Sequence, residues 1–277
     1  MRNLLAANFA RLRKDKSFWI ILAALFLMAL ATIMSSAESV AEMEANGLFR
    51  STEYFFFSSA PYLGIFYAVF IGLFLGADYV EGPLRNRLIA GYRRREIYLA
   101  DWLSCYAACS LFFLAWYMGG LPGLWWIGPF ESGLVGHLVY LLVGAGFTGA
   151  FCALFLLACC LTDHKALMVI LPAVFWMCLT LMASGLYDRL LEPATLGGIA
   201  FINGEFRALE ETPNPLYLSG TVRQICEGLL DFLPTGQVIE MGEIPVEKGA
   251  PMLLSSGIFT ALALFGGLVV FKRKNLK

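Results

Sequence analysis

The sequence predicts an all-α membrane protein with six transmembrane helices, an amphipathic N-terminal interfacial helix and a short cytosolic helix between spans two and three. Three observations carry that prediction. Hydrophobic residues make up 59% of the 277 and charged residues 15%, with a mean hydropathy of +0.70, against roughly 45–50% apolar content in soluble domains. Six stretches, 18–35, 60–77, 102–120, 138–162, 166–187 and 252–271, can cross the hydrocarbon layer and contain no Asp, Glu, Lys or Arg. Charge is also sorted by loop. Of the 20 Lys and Arg, fifteen lie before span one, between spans two and three, between four and five, or after span six. The alternate loops hold the other five and fifteen of the 21 Asp and Glu. Lys- and Arg-rich short loops stay cytoplasmic, so both termini are expected inside, in a multi-pass arrangement in the plasma membrane.

Residues 1–16 place Leu4, Leu5, Phe9 and Leu12 at helical spacing among arginines and lysines. That pattern suits a helix in the inner headgroup layer, acting as a basic anchor or as a mechanical element. Residues 17–187 hold five spans with short loops. Span one is as long as a full crossing and lacks an A-x-A site after it, so it is expected to be retained. The following loop, about 37–59, is acidic and then aromatic at Tyr54, Phe55, Phe56 and Phe57. This composition reads as an interfacial belt, with substrate contact as the alternative. Residues 188–251 form the longest polar region, on the extracytoplasmic side, interrupted by six prolines. One helix is legible there. Thr221 and Gln224 form a T-x-x-Q capping box, Val222, Ile225, Leu229, Phe232 and Leu233 make an apolar face, and Pro234 stops it. It is expected to cap the outer ends of the spans. Residues 252–277 supply span six and a basic tail.

Several chemistries are excluded or disfavoured. A net charge of −1 leaves no basis for a nucleic-acid partner held by bulk charge. Of the 7 cysteines, Cys105, Cys109, Cys152, Cys159, Cys160 and Cys178 fall in apolar stretches, so no disulfide framework is expected. No metal or cofactor is expected either: the adjacent Cys159 and Cys160 lack a second ligand pair, and His137 and His164 are the only histidines. The G-x-G-x-x-G run at 144–149 lies inside span four without a preceding strand. Its small residues, like Gly72 and Gly76 in span two, are therefore read as helix-contact positions. No G-x-x-x-x-G-K-[ST] phosphate loop is present, so the chain is not expected to be an ATP-hydrolysing enzyme by that device. The spans offer no carboxylate pair for hydrolysis or proton transport. Asp101, near the inner boundary of span three, is expected to pair with Arg93, Arg94 or Arg95.

Between spans two and three, residues 76–100 read GADYVEGPLRNRLIAGYRRREIYLA. Proline favours the first helical position and glycine the residue past the end, which predicts a helix over 83–90, roughly 12 Å long. Leu84 and Leu88 share one face, Arg85 and Arg87 point elsewhere, and Gly91 turns the chain back toward the bilayer. Such a basic loop can serve topology alone or seat in a groove on a cytosolic partner.

This stretch resembles the corresponding loop of ATP-binding cassette type 2 permeases of the bacterial exporter kind, approximately G-x-E-Y-x-x-G-T-x-R-N-K-L-x-x-G-x-x-R-x-x-I-Y-L. Gly76, Tyr79, Gly82, Arg85, Asn86, Leu88, Gly91, Arg94, Ile97, Tyr98 and Leu99 fall on the pattern, whereas Asp78, Pro83 and Arg87 depart from it. Leu233-Pro-Thr-Gly-Gln237 is also similar to family members, and the layout of the whole chain agrees. The resemblance implies that the loop is a coupling helix docked on a separate ATPase subunit, with Glu81, Pro83, Leu84, Arg85, Asn86, Arg87, Leu88, Gly91 and Arg94 as the docking set. It further implies a second permease, the same or a related chain, and outward movement of a substrate, with an amphiphilic or peptide-like cargo the natural choice for an apolar, aromatic path between the two permeases. The competing expectation is a non-transporting scaffold, immunity or sensor protein that binds a ligand through residues 188–251.

Overall fold

The computed structural model describes residues 1–46, 51–80, 83–197, 199–202, 205–208, 211–241 and 248–274. It is helical almost throughout, as expected of an all-α membrane protein. In chain order the helices are α1 (Arg2–Lys14), α2 (Lys16–Ala45), α3 (Thr52–Phe57), α4 (Leu63–Val80), α5 (Pro83–Ile89), α6 (Arg94–Gly120), α7 (Leu124–Ile127), α8 (Gly133–Cys160), α9 (Lys165–Leu191), α10 (Gly220–Phe232), α11 (Pro234–Glu240) and α12 (Gly249–Arg273). Six helical segments are long and apolar enough to cross a membrane: α2, α3 with α4, α6 with α7, α8, α9 and α12. A helix closes its backbone hydrogen bonds within itself, which is what hydrocarbon demands.

The bundle has an inner and an outer set. Helices α4, α6 and α8 pack on one another at the centre, and each outer helix lies in a groove between two of them: α2 over α6 and α4, α9 over α4 and α8, α12 over α8 and α6. Aromatic rings fill the centre. Tyr67 and Phe70 of α4, Phe112 and Trp116 of α6, and Phe147, Phe151 and Phe155 of α8 are fully buried. Phe70 meets Phe112 edge-on at 5.0 Å and Phe113 meets Phe147 at 5.7 Å, the preferred geometry of ring quadrupoles. Outward faces of α2, α9 and α12 expose Ile20, Leu27, Leu181, Leu254, Leu262 and Phe265, the complement of acyl chains.

Small residues set the closest approaches. A Cβ at Gly72 would collide with the Met168 carbonyl oxygen, so α4 and α9 touch backbone to backbone there. Within the G-x-G-x-x-G run, Gly144 faces the Phe113 ring of α6 and Gly146 faces Ser256 and Leu253 of α12. This is helix packing, as read from the sequence.

Three expectations are corrected. Helix α2 continues to Ala45, well beyond the apolar stretch, so much of the acidic loop is helical. The aromatic run is no interfacial belt: Phe55, Phe56 and Phe57 are buried, with Phe56 against Trp116, Tyr117 and Phe130 and Phe57 against Tyr140. Three bulky rings in one turn of helix remove more apolar surface from water inside the bundle end than at its rim. In the 188–251 region α10 begins at Gly220 after Ser219, with no side-chain cap, so the predicted Thr221 capping box does not form. That region also contains a short antiparallel pair, Ile199–Ile202 with Glu205–Ala208, a second pair that encloses it in sequence, Thr195–Leu196 with Thr212–Pro213, and the additional helix α11.

Candidate docking helix and the charged cluster beneath it

Pro83 opens α5, where its fixed φ suits the first turn and its missing N–H costs nothing. The end of α5 is equally well specified. Gly91 has φ +87°, the Tyr92 N–H donates to the Arg87 carbonyl at 3.2 Å, and the Gly91 N–H donates to the Leu88 carbonyl at 3.0 Å. This is a Schellman closure, which needs a residue without a Cβ at that φ. Helix α6 starts immediately afterward, with the Arg93 N–H donating to Glu96 Oε2 at 2.9 Å.

The two faces of α5 differ sharply. Leu84 is buried and Leu88 half-buried against the core. Pro83, Arg85, Asn86 and Ile89 are exposed, and Ile89 shows 74% of its surface. Ile89 is the large hydrophobic side chain that α5 leaves exposed. Ile89 was not among the predicted docking residues. Its position five residues after Leu84 puts it on the opposite face, a signal present in the helical periodicity. Glu81, one of the predicted docking residues, lies outside the described residues, as does Gly82.

Arg87 is turned inward, contrary to the expectation that it points away with Arg85. Its Nη2 donates to Asp78 Oδ2 of α4 at 2.7 Å and to Asn8 Oδ1 of α1 at 3.0 Å, and its Nη1 to Asp101 Oδ1 of α6 at 3.1 Å. Asp101 therefore pairs with Arg87, not with Arg93, Arg94 or Arg95. Distance along the chain decided wrongly here: the α5 turn folds Arg87 back over the bundle, whereas α6 points its first arginines elsewhere. Asn8 Nδ2 and the Tyr79 hydroxyl complete the Asp101 carboxylate at 3.0 and 3.2 Å. Arg11 pairs with Asp78 and lies 3.7 Å over the Phe74 ring. Two carboxylates face two guanidiniums, so the cluster is neutral, and each buried acid has several donors. That is the condition under which buried charge is tolerated.

Sequence reasoning missed Asn8. It occupies the middle of the buried stripe Leu4, Asn8, Leu12 on α1, and a polar residue at a core position of an amphipathic helix is the cue that could have revealed it. The stripe joins α1 to α6, so α1 packs on protein as well as on any headgroup layer.

Arg94 lies in the first turn of α6 and not on α5. Its Nη1 donates to the carbonyls of Phe271, Lys272 and Lys274, which the end of α12 leaves open. Lys274 in turn pairs with Asp163 at 3.0 Å and bonds the Thr162 carbonyl. The ends of α6, α8 and α12 are thus tied beside α5, and the predicted docking set divides into an outward group and residues already engaged in the protein. Among the described residues no group of three His, Cys, Asp or Glu side chains could hold a metal ion.

A second polar cluster sits at the other end of the bundle. Gln237 of α11 donates to the carbonyls of Asp231 and Met252 at 2.8 and 3.1 Å and accepts from Ser256 at 2.6 Å. Nearby, burial together with the carboxylates of Asp231 and Glu227 raises the Glu240 carboxyl to about 7, against the opposing charge of Lys248. The folded state therefore holds this proton where the unfolded chain, at about 4.3, has lost it. Stability is complete below the unfolded value and falls as pH rises through the folded one. Melting curves in detergent should drop between pH 5 and pH 8, and Glu240→Gln should flatten that dependence and melt higher than the parent at pH 8.

No protein-family model matches the chain, and no curated protein matches it.

Proposed function

We propose that the chain is the membrane-spanning subunit of an ATP-driven exporter of the ATP-binding cassette kind, with α5 as the element that docks on a separate ATPase subunit. One observation carries this reading. A two-turn helix, closed by proline at one end and glycine at the other, presents Arg85, Asn86 and Ile89 to solvent while Leu84 and Arg87 fasten it to α1, α4 and α6. A force applied to the exposed face reaches three other helices without passing through a flexible loop. The resemblance of residues 76–100 to exporter permeases supports the same reading. The interior is filled with aromatic rings, so the substrate path belongs between two permease copies, where an amphiphilic or peptide-like cargo meets apolar walls.

The test is affinity purification of the full chain from its native membrane, followed by mass spectrometry and ATP hydrolysis measurements in proteoliposomes. Recovery of a phosphate-loop ATPase whose hydrolysis rises with the permease present is the expected result. Recovery of no such subunit removes the exporter reading and favours the scaffold or sensor.

A further inference from the structure

We infer that the one-turn helix α7 anchors the end of the bundle opposite α5 in the ester-carbonyl layer of that leaflet, with Trp125 and Trp126 as the anchoring side chains. The aromatic run at 54–57, expected at the rim from the sequence, is packed inside this end of the bundle, and the two tryptophans stand at its surface instead. Trp125 is 92% exposed and Trp126 56%. Trp116, by contrast, is buried, and its indole N–H donates to Ser59 Oγ at 3.0 Å. An indole that projects as far as Trp125 takes its apolar neighbours and its N–H acceptor from outside the chain. The boundary between hydrocarbon and headgroups supplies both at once.

The depth follows from the helix that carries them. Leu111, Leu114 and Met118 are exposed and recur three and four residues apart, so they form one outward stripe along α6. The chain continues through a 3₁₀ turn at Leu121–Gly123 into α7, and Trp125 follows Met118 by two helical turns. At the α5 end of α6, Arg95 is an exposed cation. The thirty residues from Arg95 to Trp125 span about 45 Å at 1.5 Å each, against roughly 40–45 Å for a bilayer with both headgroup layers. The charge-free stretch of α6 ends at Gly120, which puts Trp125 about 7 Å beyond the hydrocarbon, within the interfacial layer.

The anchor is held rigidly. Gly128 ends α7 with φ +113°, and its N–H donates to the Leu124 carbonyl at 3.1 Å, which turns the chain back toward the bundle. Phe130 then inserts between Phe56 and Tyr140, with its ring stacked on His137 at 4.0 Å. Ser132 donates through its N–H and its hydroxyl to Glu53 Oε1 at 2.9 and 2.8 Å, which fastens the turn to α3. A force on the tryptophans is therefore borne by α3, α6 and α8 together. The tip is also convex. A second copy would need a concave socket to cover it, whereas fluid lipid closes around a protrusion without one.

The test uses the full chain in phosphatidylcholine proteoliposomes, with Cys178 and Cys226 replaced by Ser. Single cysteines introduced by Trp125→Cys, Leu114→Cys and Glu211→Cys carry a nitroxide, and collision with oxygen and with a water-soluble nickel chelate is read by electron paramagnetic resonance. Position 125 should meet more oxygen than 211 and more nickel than 114. Accessibility equal to that of 211 would put the tip in water, and equal to that of 114 would put it in the hydrocarbon. Exclusion of both probes would put it under protein, such as a second copy. Each of these three outcomes overturns the inference. With the indoles in place, phosphatidylcholine labelled at the 5-doxyl position should quench a larger share of tryptophan emission than in the combined Trp125→Phe and Trp126→Phe variant. Equal quenching in the two proteins overturns it as well.

Discussion

Replacing Arg87 with Met should lower the stability of the detergent-solubilised protein by about 3–5 kcal/mol, the range for removing one partner of a buried ion pair. Asp78 and Asp101 would then face a single guanidinium, that of Arg11, which has its own pairing with Asp78 and only long-range attraction for Asp101. Met keeps the length and apolar stem of the side chain, so the loss reports charge and hydrogen bonding and not volume. The control is the combination of Arg87→Met with Asp78→Asn and Asp101→Asn. It leaves no buried carboxylate without a cation and should recover part of the melting temperature; Arg11, whose guanidinium nitrogens are all buried, then lacks its Asp78 partner, which costs the remainder. The two variants separate folding from coupling. If α5 transmits force through this cluster, the combined variant folds and binds its ATPase, yet stimulated hydrolysis falls. Unchanged stimulation in a well-folded protein would show that transmission runs by another route.

Ile89→Asp should do the reverse, leaving the melting temperature unchanged and weakening association with the ATPase. The side chain contributes nothing to the protein's own core, so its replacement costs little in the free subunit. At an interface an aliphatic anchor is worth on the order of 2 kcal/mol, or roughly thirtyfold in affinity. Arg85→Glu should add a salt-dependent loss through the association rate. Binding measured by microscale thermophoresis in nanodiscs distinguishes these effects. Wild-type affinity for both variants would remove α5 as the docking element.

How much of this was legible in the sequence depended on whether the signal was local. The six crossings, the short helix after Pro83 and its stop at Gly91 follow from periodicity and backbone preferences within a few residues, and the structure has them where the pattern puts them. The inward turn of Arg87 was not legible. It depends on Asp78, Asp101 and Asn8, separated by up to 93 residues and brought together only by packing. Neighbourhood in sequence favoured Arg93, Arg94 or Arg95 for Asp101, and that choice failed because Arg94 closes the end of α12. The burial of Phe55, Phe56 and Phe57 was hidden for a similar reason: an aromatic run has the same composition at a membrane rim as inside a bundle.

The contrast between the two sides of α5 has a practical consequence in the laboratory. Added salt reaches Arg85 and screens it within about 8–10 Å at ordinary buffer strengths, but it has little access to the shielded quartet of Arg11, Asp78, Arg87 and Asp101. If α5 docks an ATPase as proposed, a concentrated chloride rinse should therefore strip that subunit from the immobilised protein and leave the bundle intact, so it can be eluted in folded form and added back.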